Sequence, residues 1–281
     1  MRTLVHLSDL HFGRVDAALL GPLIDVVAQV APDVVVVSGD LTQRARTAEF
    51  KQAREFLERL SGPRIVVPGN HDVPLYNVMD RFSRPLQKFR AYIESEPTPA
   101  YIDDEIAVLG INTSRSLTIK SGRINAAQLE YLRETMRRLD AGVVKVVVTH
   151  HPFDVCAGDT KHHVVRRAAR AMAVFADCGA DVLLAGHLHM SYSGDSQAHY
   201  PLADYAALVV SAGTATSTRG RGETNSFNVL KIRNPRIALE RFDWFPEAKT
   251  FKASSHQVFE RAGNRWVIAS RPHRDPEAPT T

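Results

Sequence analysis

Asp9 and His11, two residues apart in SDLHFG, open a series of side chains that bind metals or move protons. Asp40 follows in SGDL, Asn70, His71 and Asp72 in PGNHDV, His150 and His151 in THHPF, and His187 and His189 in AGHLH. Carboxylate, imidazole and amide oxygen suit hard and borderline divalent ions. The two cysteines, Cys156 and Cys178, are far apart and suggest neither a disulfide framework nor a thiolate site. In D-x-H and H-x-H, residues two apart share one side of an extended segment, so each pair can address one centre. About eight donors, at roughly four per ion, fit two ions with Asp40 as the shared carboxylate. Two ions ~3.5 to 4 Å apart form a clamp for in-line displacement at phosphorus.

Such side chains work only if something brings them together. Each cluster follows a short apolar run of the kind that forms a strand: TLVHL (3–7), VVVVS (34–38), RIVV (64–67), VVKVVVT (143–149) and DVLLA (181–185). IAVLGI (106–111) and ALVVSA (207–212) are further runs of this kind. Helical periodicity separates several of them, over 16–30, 47–60, 126–139 and 164–177, with Asn125 and Gln128 forming a capping box at the third helix start. Loops at the carboxyl ends of the strands of an open α/β sheet converge on one edge, where five clusters would meet. After residue 225, NSFNVLKI, RIALERF, HQVFER and RWVIAS read as antiparallel strands with a hairpin across Ala262-Gly263-Asn264. The expected organisation is one domain over 1–270 with a disordered tail over 271–281. The segment 112–124, without clear periodicity, reads as a surface loop.

Lys plus Arg number 35 against 31 Asp plus Glu, a net charge of +4, compatible with an anionic substrate without demanding nucleic acid. The opening MRTLVHLSDLHFG is too polar for the core of a secretory signal, and no window reaches the ~18 apolar residues of a membrane span. The expectation is a cytoplasmic protein with buried, reduced thiols.

The ordered motifs resemble those of the calcineurin-like metallophosphoesterases, namely D-x-H, G-D, G-N-H-D, a later histidine and G-H-x-H. The resemblance implies an α/β fold of two facing mixed β-sheets flanked by helices. It implies Asp9, His11, Asp40 and His189 around one metal, and Asp40, Asn70, His150 and His187 around the other. His150 is preferred to His151 because the family ligand stands two residues before the proline, here Pro152. His71 is implied as a proton donor or charge stabiliser, Asp72 as a brace for its loop, and the attacking group as a metal-bridging hydroxide. The ions are two divalent or mixed-valence metals, drawn from manganese, iron, zinc, cobalt or nickel. One position departs from the phosphoprotein-phosphatase pattern: Gln43 stands where an aspartate would orient the catalytic histidine.

Within the superfamily the chain is most similar to bacterial class III cyclic-nucleotide phosphodiesterases and glycerophosphodiesterases, which implies a small phosphodiester substrate such as a 3′,5′-cyclic nucleotide. A DNA-processing nuclease and a nucleotide-sugar or lipid-linked pyrophosphatase are the alternatives. Arg115, Lys120, Arg219 and Arg221 are loop cations that either reach substrate phosphate or are simply solvated. The stretch 161–175 reads as a core helix with some amphipathic basic character.

Overall fold

The computed structural model describes residues 1–117, 121–156, 164–202, 204–219 and 222–274. The chain begins with β1 (Arg2–Leu7), α1 (Ala17–Val30), β2 (Val34–Val37), α2 (Thr47–Glu58) and β3 (Arg64–Val66). Two short helices follow, α3 (Val78–Ser83) and α4 (Gln87–Tyr92), then β4 (Ala100–Ile102), β5 (Ile106–Gly110), α5 (Ala126–Arg137) and β6 (Val144–Val148). Next come α6 (Ala168–Cys178), β7 (Val182–Ala185), β8 (Tyr192–Asp195) and β9 (Leu208–Ser211). The last stretch holds four long strands, β10 (Ser226–Arg233), β11 (Arg236–Phe245), β12 (Thr250–Ala262) and β13 (Arg265–Arg274).

These strands form two sheets, in the orders β13-β12-β11-β10-β1-β2-β3 and β4-β5-β6-β7-β9-β8. Strand periodicity explains how they stack. On β2, Val34 and Val36 join a core with Val108, Val146, Leu184 and Val210 of the second sheet. Val35 and Val37, on the opposite face, pack with Leu23 of α1 and Phe50 of α2. The second sheet's outer face does the same with α5 and α6 through Leu132, Met172 and Phe175. The result is the helix-sheet-sheet-helix sandwich that the motif resemblance implied, with strands apolar on both faces.

Helices α1, α2 and α5 lie where periodicity placed them, and the Asn125–Gln128 capping box is present. Helix α6 starts at Ala168, four residues later than expected, after Arg167 in a left-handed conformation (φ 73°). Its buried face, Ala171, Met172, Phe175 and Cys178, is that of a core helix. The six-residue helices α3 and α4 are too short to show helical periodicity, and strands β4 and β8 are largely exposed or half-buried rather than continuous buried apolar runs, so the sequence does not announce them. The segment 112–124 is not simply a surface loop, since Thr113, Ser114 and Ile124 are buried. Strand β13 runs to Arg274, with His273 and Arg274 paired to β12, so the chain does not begin a tail at 271; residues 275–281 lie outside the described residues. Among the described residues no helix is long and apolar enough to cross a membrane.

Strands β1, β2 and β3 are parallel neighbours in one sheet, and β6, β7 and β9 in the other. Their carboxyl ends therefore lie along one side of the sandwich, and the five motif clusters all sit on loops leaving β1, β2, β3, β6 and β7.

Candidate functional site

The loops that carry the donors are laced together before any side chain is considered. Main-chain amides of Asp9 and His11 donate to the carbonyls of Gly39 and Asp40 at 3.1 and 2.9 Å, and Gly186 donates to His150 at 3.1 Å. Five donor residues take left-handed backbone conformations, with φ of 53° at Asp9, 52° at His11 and Asp40, 72° at His187 and 58° at His189. Such angles are uncommon for residues with a Cβ and cluster at functional sites, where surrounding contacts enforce them. Close approach adds a glycine requirement at two points. A Cβ on Gly69 would meet Asp40 Oδ1 at 2.0 Å, and one on Gly186 would meet Ser8 Oγ at 1.8 Å.

One donor set consists of Asp9, His11, Asp40 and His189, all buried, with ligand atoms within 4.8 Å of one another. His189 Nε2 lies 3.3 Å from Asp9 Oδ1 and 3.4 Å from His11 Nε2. The second set surrounds His150 Nε2, which is 3.0 Å from Asn70 Oδ1, 3.2 Å from His187 Nδ1 and 3.4 Å from Asp40 Oδ2. Asp40 Oδ2 is also 3.7 Å from His11 Nε2, so this carboxylate oxygen stands between the two sets. All seven expected ligand positions thus come together. His151 belongs to the same cluster as His150 and His187, with Nδ1 held by Thr113 at 2.9 Å and Nε2 buried without a partner.

Each carboxylate keeps one oxygen tied and one facing inward. Asp9 Oδ2 accepts from Ser8 Oγ at 2.6 Å and the His187 amide at 3.0 Å, while Oδ1 is buried with no hydrogen bond. Asp40 Oδ1 accepts from the His71 amide at 2.8 Å, leaving Oδ2 toward the imidazoles. His150 Nδ1 faces the Ser38 carbonyl at 2.8 Å; a carbonyl only accepts, so Nδ1 carries a proton and Nε2 is the nitrogen left to serve as a ligand once it gives up its own. Thr214 Oγ1, 2.8 Å from Nδ1, fixes the orientation of the His189 ring.

The buried carboxylates favour positive charge here. Burial alone would raise the carboxyls, yet the imidazoles hold Asp9 and Asp40 below the usual range. Burial would lower His150, but Asp40 and the Ser38 carbonyl push it up to about 9. An orphaned carboxylate oxygen, inward-facing imidazole nitrogens and no thiolate are a fit for divalent cations.

Asp72 accepts from the amides of Leu41, Thr42 and Gly69 and from Thr42 Oγ1, at 3.2, 2.8, 2.9 and 2.9 Å, which is the bracing expected of it. His71 lies at the rim, its Nδ1 2.9 Å from the Gln43 main-chain carbonyl. The Gln43 side chain does not hold the ring; it faces Arg219 Nη1 at 3.5 Å, and Arg219 in turn reaches His71 Nε2 at 3.1 Å. Burial chiefly, then His11 and Arg219, lowers the His71 pKa despite Asp40.

Among the loop cations, Arg219 is therefore at the site. Arg115 is spent on Gln128 Oε1, at 2.7 Å, and its neighbour's carbonyl, while Lys120 and Arg221 lie outside the described residues. Sequence reasoning missed the orienting residues Ser38, Thr113 and Thr214, as well as Arg44 and Tyr76 at the rim. A Thr or Ser near a strand end carries no distinctive signal on its own.

Donor sets of this kind, at the edge where two sheets meet, define a metal-dependent phosphoric ester hydrolase, and comparison with known proteins agrees. The model of the calcineurin-like phosphoesterases matches residues 2–191, and the chain belongs to that family. It is 28% identical over 261 residues to a cAMP/cGMP dual specificity phosphodiesterase of Mycobacterium tuberculosis, covering 82% of this chain and 75% of that one. A glycerophosphodiester phosphodiesterase of Enterobacter lignolyticus is 40% identical over only 80 residues, 25% of this chain and 29% of the relative. The 3′,5′-cyclic adenosine monophosphate phosphodiesterase of Escherichia coli is 24% identical over 58% of this chain and 56% of its own. In fold, the chain is similar to the purple acid phosphatase PPD1 of yellow lupin (TM-score 0.69, 11% identity, 92% of this chain, 54% of that one). It is also similar to a dimetal phosphatase of Danio rerio (TM-score 0.62, 14% identity, 85% and 95%).

Proposed function

We propose that the chain is a binuclear phosphodiesterase acting on a small phosphodiester such as a 3′,5′-cyclic nucleotide. The observation that carries this reading is Asp40 Oδ2, which lies within 3.7 Å of an imidazole nitrogen from each donor set. Asp9, His11, Asp40 and His189 would hold one ion, and Asp40, Asn70, His150 and His187 the other. When bound, two ions supply an acidified water and polarise phosphoryl oxygens. The chain's own contribution is to hold the donors rigidly, through the Asp72 brace and the tied carboxylate oxygens. His71, its Nδ1 donating to the Gln43 carbonyl, accepts from Arg219 at Nε2 and so acts as a charge stabiliser, holding that cation where phosphoryl charge develops. The long match to a cAMP/cGMP phosphodiesterase supports a cyclic nucleotide over the alternatives.

Manganese and iron are the proposed ions, and the cytoplasm the proposed location, in keeping with two free cysteines, of which Cys178 is buried as expected and Cys156 is exposed instead. Metal analysis of purified protein tests the first, and cell fractionation the second. The reaction is tested by presenting metal-loaded protein with cyclic AMP, bis-p-nitrophenyl phosphate, p-nitrophenyl phosphate, glycerophosphodiesters, UDP-sugars and DNA. Diester turnover that fails in Asn70→Ala and His71→Ala is the expected result. Hydrolysis of DNA or UDP-sugars with no small-diester turnover would replace this reading with the nuclease or pyrophosphatase.

A further inference from the structure

Beside His71 the surface opens into a recess of about 260 Å³ lined by Asn70, His71, Val73, Leu75, Tyr76 and Arg219, with Gln43 and Arg44 completing the wall. Its polar end is the donor cluster, through Asn70 and His71. Its other end is apolar and unusually bare, with Leu75 41% and Tyr76 69% exposed. Tyr76 is nonetheless held in place, because the Arg44 guanidinium carbon stands 5.0 Å from its ring centroid. The loop carrying it is stapled by Arg81, whose Nη1 donates to the Pro74 carbonyl at 3.0 Å and whose Nε donates to the Ser116 carbonyl at 2.7 Å.

Arg219 closes the recess on the metal side. Among the described residues its guanidinium forms no ion pair, its side-chain partners being the neutral acceptors His71 Nε2 and Gln43 Oε1. A guanidinium satisfied only by neutral acceptors retains its charge for an anion, and its planar fork suits phosphoryl oxygens.

We propose that this recess seats the organic group of the substrate, with Arg219 on a phosphoryl oxygen and Tyr76 stacked against a planar ring. Tyr76 is then the residue that makes the enzyme favour aromatic-base diesters over glycerol diesters. The proposal rests on the phosphodiesterase reading above and chooses between the two substrate classes of the relatives. Three features converge on a flat, partly apolar group. The volume is just under the roughly 300–1,000 Å³ usual for small-molecule sites, enough for one ring system and not for a run of nucleotides. An aromatic ring backed by a cation offers a stacking surface that every base can use. A glycerol group has no π-face and gains only the Arg219 contact.

Binding of adenosine 5′-monophosphate and of glycerol 3-phosphate to metal-loaded protein separates these contacts, because both ligands carry a phosphate monoester and differ in the organic group. Calorimetry on wild type, Tyr76→Ala, Tyr76→Phe and Arg219→Ala is the experiment. Tyr76→Ala is expected to weaken the nucleotide by roughly tenfold while changing glycerol 3-phosphate by less than about twofold, with Tyr76→Phe close to wild type. Arg219→Ala should weaken both ligands by similar factors. If Tyr76→Ala weakened both ligands equally, or neither, the recess would not be the base subsite. Diester turnover measured in parallel keeps the two claims apart. A wild type that cleaves no diester sinks the proposed function, while the binding difference still decides the recess.

Discussion

The floor of the site and its rim are built by opposite strategies. On the floor, Asp9, His11 and Asp40 follow closely on the ends of β1 and β2, with one oxygen of each carboxylate tied by a hydroxyl or main-chain amide and the other left facing the donor cluster. At the rim, Leu75, Tyr76, Val78, Met79 and Phe82 sit on an irregular loop and a six-residue helix, with side chains 41, 69, 64, 78 and 56% exposed. Chemistry that must be repeated identically needs donors fixed to a sheet. Recognition of an organic group needs accessible apolar surface, which a folded core would consume. The comparison predicts that substitutions on the floor destroy binding of metal or the fold around it, whereas those on the rim change which ligand binds.

The largest effect should come from Asp40, whose Oδ2 faces both donor sets. Asp40→Ala is expected to remove metal from both positions and lower diester turnover by roughly a thousandfold or more. Metal content by elemental analysis decides the matter: a variant that lost only one ion would mean that the sets are independent and that Asp40 does not bridge. Gly69→Ala tests the packing beneath that same carboxylate, because the new Cβ would arrive 2.3 Å from the Asp40 amide nitrogen as well as against its side chain. The backbone cannot move aside cheaply, so a loss of roughly 3 kcal/mol or more is expected, seen as a clear drop in unfolding midpoint even without metal. A midpoint unchanged from wild type would show that the floor is more pliable than the lacing of its loops implies.

The same division explains what was legible in the sequence. The floor could be read because apolar runs mark strand ends, and residues such as Asp9, Asp40 and Asn70 stand within a few positions of them. The two sheets with covering helices were likewise readable, since Val34 through Val37 are apolar on both faces and α1, α2 and α5 carry long periodic patterns. Tyr76 and Arg44 could not be found in this way, because their pairing depends on the path of a loop stapled by Arg81, to which periodicity does not speak. Gln43 marks the boundary between these cases. Its position was recognised as a departure, but only the structure reveals that its carbonyl holds His71 while its side chain faces Arg219.

Thr214 probes how far the floor extends. It lies beyond the donors, on the stretch after β9, and its hydroxyl is 2.8 Å from His189 Nδ1. Removing a partner that orients a ligating imidazole typically costs about 10- to 100-fold in metal affinity, so Thr214→Val should weaken binding by that amount with little change in unfolding midpoint. Full metal affinity in this variant would confine the floor to the ligands themselves. Thr214 would then be a packing residue that happens to sit near His189.

The smallest effect is expected at Met79, and it is informative because it is small. Met79 is 78% exposed on α3, so replacing it with serine removes almost no buried surface. Surface substitutions of this kind usually stay within about 0.5 kcal/mol, and the unfolding midpoint of Met79→Ser should match that of wild type. Metal affinity should be unchanged as well, since α3 contributes no donor to either set. A marked fall in either quantity would mean that the helix is packed against the floor rather than standing apart from it. The rim would then be part of the same rigid unit as the metal centre, and substrate recognition could not vary independently of catalysis.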